Sequence, residues 1–149
     1  MKVQEIMTAD PACCAPQAPV QEAARLMVEC DCGEIPVVDQ AGKPHGVITD
    51  RDIACRVIAE GKGPDTPVRE AMSVPVITVS VDMSVEECCR IMEENQVRRV
   101  PVIDEGGVCC GMLALADIAL EGSEEMTAEL VRDVSMPTAK ESRPSGRAQ

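Results

Sequence analysis

The feature that most constrains this chain is an internal repeat with a constant spacing of 65 residues. Val-Gln-Glu-Ile-Met-Thr from Val3 aligns with Val-Arg-Glu-Ala-Met-Ser from Val68. Ile-Pro-Val-Val-Asp from Ile35 aligns with Val-Pro-Val-Ile-Asp from Val100. Gly42, Gly46, Asp52, Ile53 and Ala54 then fall on Gly107, Gly111, Asp117, Ile118 and Ala119 without insertion or deletion. Such a period marks one supersecondary unit used more than once, and it governs every later reading of the fold. Two similar units have to dock on each other, so a ligand cleft between them comes as a pair. Differences between the copies then show which cleft is equipped to bind.

Each copy reads as strand, helix, strand, strand, helix, an α/β (α+β) pattern. In the first, residues 12–15 form a short strand after the Asp10-Pro11 turn. Ala23, Ala24, Met27 and Val28 share one face of a helix over 20–31. Strands follow over 35–38 and 45–49, then a helix over 50–60 that stops at Gly61. The breaker-rich segment from Gly61 to Pro67 separates the copies. Repeat 1 thus spans 1–61, a linker 62–67 and repeat 2 68–122. In the second copy Ser84 with Glu87 fits a capping box. Its last helix runs from near Leu115 to Gly122, and a further short helix lies within 123–136. The polar tail 137–149 has no apolar face and is expected to be disordered.

The chain has 149 residues, enough for one compact domain or two closely associated halves. It contains no Phe, Tyr or Trp. Val, Ile, Leu, Met, Ala and Cys must therefore fill the core, and nine Met and nine Cys are suited to it. A net charge of −12 argues against a nucleic-acid partner, which selects basic faces. The N-terminus does not read as a signal peptide, and no run approaches the ~20 apolar residues of a membrane span. These features point to a cytoplasmic protein with no membrane partner. The odd number of cysteines suggests reduced thiols rather than a disulfide framework.

The tandem βαββα order, with h-P-V-h-D (h, hydrophobic) in each copy and Gly-Val-Ile-Thr-Asp-Arg-Asp after the first, resembles a pair of CBS domains, or Bateman module. The resemblance covers about residues 1–122. It implies two repeats packed with pseudo-twofold symmetry and two related clefts that commonly take adenosine compounds. The expected ligand is AMP, ADP or ATP, with S-adenosylmethionine or NAD ranking behind. It also implies a regulatory module, not an enzyme, with no catalytic cofactor, that forms a homodimer and acts on an unidentified protein partner.

Thr49-Asp50-Arg51-Asp52 sits where a strand passes into a helix, whose free N–H groups suit a phosphate. Thr49 can add a hydroxyl donor, and Asp50 next to it is a further candidate ligand contact. Asp52 is an acceptor only, suited to ribose hydroxyls, and the family assigns these roles to the Thr and Asp of its G-h-x-T-x-x-D pattern. The local alternative is that Asp50 caps the helix and Asp52 is an exposed first-turn acid. Arg98 and Arg99 precede a strand, and their always-charged guanidinium groups suit phosphate; a solvated pair or a surface salt bridge is the alternative. At the repeat spacing these arginines fall on Gly33 and Glu34, while Thr49 falls on Ala114 and Asp52 on Asp117. By the family's pairing, one cleft joins Thr49 and Asp52 to Arg98 and Arg99. The other has Asp117 but lacks the hydroxyl, and Glu34 stands where a cation would help. The expectation is one competent nucleotide site and one degenerate site, empty or open to an uncharged or cationic group. Met7, Pro11 and Ile35 could line an adenine but serve equally as core.

The cysteines lie in clusters (Cys13-Cys14, Cys30/Cys32, Cys88-Cys89 and Cys109-Cys110) without C-x-x-C spacing. Cys88 and Cys89 stand where the first copy has Ala23 and Ala24, as packing residues would. A thiol- or metal-responsive module is the alternative function. With a single histidine and no nucleophile-base spacing, the sequence shows no catalytic constellation.

Overall fold

A computed structural model describes residues 1–136; the tail 137–149, expected to be disordered, lies outside the described residues. The elements are α1 (Val3–Ile6), β1 (Thr8–Ala9), α2 (Val20–Cys30), β2 (Glu34–Val38), β3 (Pro44–Thr49), α3 (Asp50–Ile53), β4 (Val79–Ser80), α4 (Val85–Asn95), β5 (Arg99–Ile103), β6 (Cys109–Ala114), α5 (Leu115–Glu121) and α6 (Glu124–Ser135). The helix expected over 50–60 is divided, because Ala54–Ile58 widens into a π-helix. The strand expected over 12–15 shrinks to one bridge between Cys14 and Val37. Pro11 and Pro16 bracket it, and proline has no N–H to extend a ladder. Ser84 accepts from the Glu87 N–H at 3.1 Å, supplying half of the expected capping box.

The strands form a four-stranded sheet in the order β1-β6-β5-β4 and a two-stranded sheet of β2 and β3. β1 therefore pairs not with its own copy but with β6 of the other, Thr8 opposite Met112 and Ala9 opposite Gly111. The exchange is reciprocal: Ser73, the repeat counterpart of Thr8, bridges Val47, the counterpart of Met112. Lys2 with Ser84 and Pro67 with Pro19 form another related pair of bridges. Cys14 with Val37 is likewise matched by Val79 with Val102. The pairings thus repeat about a pseudo-twofold axis.

Period-two alternation turns Ile35 and Val37 of β2, and Val100 and Val102 of β5, into the interior. Glu34 and Arg99, one residue earlier on each strand, then face the opposite way. Two cores result, and the leading segments cross between them. Val3 belongs to the core of the second repeat, while Val68 and Ala71 belong to that of the first. Leu130 and Val134 of α6 add to the second core alone. Methionine and cysteine take the expected core roles at Met27, Met92, Cys14, Cys88 and Cys89. Cys30 and Cys55, by contrast, are exposed. Among the described residues no helix is long and apolar enough to cross a membrane.

Candidate functional site

Two clefts open between the repeats. The first, about 870 Å³, is lined by Thr49, Asp50, Arg51 and Asp52 from the β3–α3 junction and by Arg98 and Arg99 at the start of β5. The four residues expected to converge, Thr49, Asp52, Arg98 and Arg99, lie on this one cavity. The second, about 330 Å³, contains Asp117, Ala114, Glu34 and Ile35 together with Thr8, Asp10 and Pro11. Met7 instead packs its thioether against Gly111.

Thr49 is the N-cap of α3, so the cap is Thr49 and not Asp50. Its Oγ1 accepts from the Asp52 N–H at 3.0 Å, and Asp52 Oδ2 accepts from the Thr49 N–H at 3.0 Å. Asp52 is not an exposed first-turn acid; it is 7% exposed. Ser73 Oγ donates to the same carboxylate at 3.0 and 3.1 Å, and Arg56 Nη1 lies 3.8 Å from Oδ1. With about four lone-pair sites, the carboxylate keeps acceptor capacity toward the cleft. Asp50 is exposed, and its Oδ1 accepts from the Arg51 N–H at 2.8 Å. At the pseudo-equivalent junction Asp117 Oδ2 accepts from the Ala114 N–H at 2.8 Å, and position 114 carries no hydroxyl.

Glu34 and Arg99 depart from the sequence expectation, which gave each to one cleft. Both line both clefts. The reason is positional: they are repeat counterparts at the first residues of β2 and β5, beside the pseudo-axis. Burial pushes the Glu34 carboxyl up to about 7, against the opposing pull of Arg99 and with a further push from Asp52. Its Oε2 is shielded from solvent and has no hydrogen-bond partner among the described residues.

Several cleft residues had no local sequence signal. Ser73 and Pro75, Val76 and Ile77 line the first cleft because the leading segment of the second copy docks on β3. Their repeat counterparts Thr8, Asp10, Pro11 and Ala12 line the second cleft. The spacing alone relates the two sets. The end of α6 closes another side of the first cleft through Val134, Ser135 and Met136, and Gln96 Nε2 donates to the Met136 carbonyl at 2.7 Å.

The electrostatic contrast follows from these linings. The first cleft sets Arg51, Arg56, Arg98 and Arg99 against Glu34, Asp50 and Asp52. The second sets Asp10, Asp31, Glu34 and Asp117 against Arg99 alone. Arg98 and Arg99 make no ion pair among the described residues, so the alternative of a surface salt bridge is not what the structure displays.

The CBS domain model matches residues 3–58 and 65–124, nearly all of both copies. The chain belongs to the CBS-domain family. It is 38% identical over 134 residues to the CBS domain-containing protein YhcV of Bacillus subtilis (strain 168), covering 89% of this chain and 94% of that protein. Among solved structures, Hypoxic Response Protein I with two coordinated zinc ions is 35% identical, with a TM-score of 0.76 over 83% of this CBS-domain chain and 100% of that one. The CBS domain pair of MJ0100, in complex with 5′-methylthioadenosine and S-adenosyl-L-methionine, is 28% identical with a TM-score of 0.72, over 80% and 94% of the two chains. CBSX2 in complex with AMP is 25% identical with a TM-score of 0.70, over 80% and 93%.

Proposed function

We propose that the protein is a regulatory module that binds an adenine nucleotide (AMP, ADP or ATP) in the first cleft and transmits the resulting change in geometry to a protein partner. The observation that carries this reading is the meeting of Arg98 and Arg99 with Thr49 and Asp52 on one cavity whose guanidinium groups outnumber its carboxyls. In this reading Arg98 and Arg99 hold phosphate, Thr49 donates its hydroxyl, and Asp52 accepts from ribose. Asp50, exposed on the same cavity, is a further ligand contact in this reading. The complex of CBSX2 with AMP supports the ligand class. Asp117 belongs to the second cleft, whose acidic lining favours an uncharged or cationic adenosine compound. The MJ0100 complex supports this, since methylthioadenosine is neutral and the S-adenosylmethionine sulfonium is positive. We further propose a cytoplasmic homodimer, for which exposed Val28, Ile58 and Leu120 offer apolar surface. No reaction is assigned to either cleft.

A thermal-shift panel of AMP, ADP, ATP, S-adenosylmethionine and NAD tests the reading, with Asp52→Ala and Arg98→Ala as controls. A ligand at 100 times its Kd stabilises by about 2.7 kcal/mol, or roughly 5–10 °C for a chain of this size. The Arg98 variant should lose the shift with AMP. Variants that respond as the parent does would refute the assignment.

A second reading, a thiol-responsive module, is favoured by one contact. The thiols of Cys13 and Cys109, from opposite repeats, lie close enough to shift each other's protonation, while each donates to a nearby backbone carbonyl, Pro11 at 3.4 Å and Gly111 at 3.7 Å. The metal-responsive variant has the zinc complex of Hypoxic Response Protein I in its support. Among the described residues, however, the only three-donor group gathered closely enough for a metal is Glu93, Glu129 and Asp133, which contains no cysteine.

A further inference from the structure

Glu34 is the one buried side-chain oxygen site left without a partner among the described residues, and it stands in the wall common to both clefts. Its repeat counterpart Arg99 lines the same two cavities from the facing strand. The two are not within ion-pair distance. Arg99 nevertheless acts on Glu34 through space, and its guanidinium remains available to another anion. A phosphate entering the first cleft therefore meets a cation and a carboxyl that compete for the same charge.

We propose that Glu34 sets the charge specificity of the first cleft, and that binding of a phosphate-bearing ligand there is coupled to uptake of a proton by Glu34. The inference rests on the nucleotide reading above and deepens it. Its physical steps are short. Phosphate draws Arg99 toward itself, which removes the main influence favouring the Glu34 anion. The phosphate also adds negative charge beside a carboxyl already facing Asp52. Both effects act in the same direction, and the carboxyl accepts a proton from solvent. Neutral Glu34 can then donate through O–H, either to the phosphate or into the second cleft.

The neighbouring charges do not reverse this sign. Asp52 on α3 disfavours the ionised form of Glu34, and Asp50 on α3, Asp31 after α2 and Asp117 on α5, which share one or other cavity with it, bring no cation to oppose this. Arg98, Arg51 and Arg56 oppose them from the first cleft, but bound phosphate screens these as it does Arg99. Binding without phosphate lacks the trigger, so adenosine should bind without proton uptake.

Isothermal titration of the full chain with AMP and with adenosine at pH 8, in buffers of different ionisation enthalpy, counts the protons. AMP is then a dianion and contributes little of its own. A tenfold rise in Glu34's proton affinity from a pKa of about 7 corresponds to uptake of roughly 0.4 proton per AMP. Glu34→Gln should bring this to near zero and bind AMP more tightly at pH 8, with its melting curve reporting that it is folded. AMP binding without proton uptake, or equal uptake by Glu34→Gln, would overturn this inference alone. No AMP binding by the folded parent chain would overturn the nucleotide reading and this inference together.

Discussion

Glu34 also leaves a mark on the protein without any ligand. Its folded-state pKa of about 7 lies above the ~4.3 of a free glutamate. Between those values the folded chain holds more protons than the unfolded chain, so this group's contribution to stability falls as pH rises. Below that window both states are protonated and no penalty applies; above it the penalty is complete. Glu34→Gln should therefore raise the melting temperature at pH 8, with little change near pH 4.5, and flatten the profile between. A parent chain whose Tm is the same at pH 5.5 and pH 8 would contradict this assignment. Glu34 was visible in the sequence only as the counterpart of Arg99. An alignment of copies shows what differs, but not that two differing positions meet at the axis. Thr49, Asp52, Arg98 and Arg99 were legible because each sits at a local strand boundary with a recognisable pattern.

At the scale of elements, the least legible feature was the exchange of leading segments. Nothing in the run from Val3 to Thr8 says which sheet it will join. A short apolar run and the turn after it pointed to β2 and β3, the repeat spacing carried the same plan to β5 and β6, and the αL caps Asp31 and Gln96 close α2 and α4 at matching positions. The π-helix after α3 had no sequence signal. Ser73 reaches Asp52 only because β3 lets its backbone come close at Gly46. A Cβ there would meet the Ser73 carbonyl oxygen and the Met72 sulfur, each at 2.9 Å. At the counterpart Gly111 the obstacle is instead the flexible side chain of Met7. Gly46→Ala should consequently cost more stability than Gly111→Ala, on the order of 1–3 kcal/mol against less than that, by denaturant titration. Equal costs would mean that the Ser73 segment yields as easily as a side chain.

For the whole molecule, Cys13 and Cys109 offer a direct test of how firmly the repeats stay together. The segment after β1 follows β6, with the Asp10 N–H bonded to the Cys110 carbonyl at 3.0 Å. The Cys14 N–H then bonds to Pro36 of the first repeat at 3.1 Å, so Cys13 lies at the crossing between them. The neighbouring Cys109 thiol lowers the proton affinity of the Cys13 thiol, favouring it as the attacking thiolate. With oxidised glutathione, Cys13 would form a mixed disulfide and release one glutathione thiolate. Cys109 would then displace the second, transferring two electrons in all to the oxidant. The product closes a loop of roughly 100 residues, for which the chain-entropy estimate is about 4–5 kcal/mol of stabilisation. Peptide mapping after oxidation should find a Cys13–Cys109 link and a raised Tm that reductant reverses. Persistent glutathione adducts on Cys13 without that link would count against the pair.

The crossed leading segments bear on ancestry. A polypeptide carrying one copy would have its first strand and first buried valine meant for a neighbour. It could satisfy them by pairing with another molecule of itself, giving a symmetric dimer with two identical clefts. Fusion of two such genes would keep every contact and remove the requirement that both clefts stay alike. Gly33 and Glu34 on one side, against Arg98 and Arg99 on the other, are the kind of divergence that only a fused pair can record.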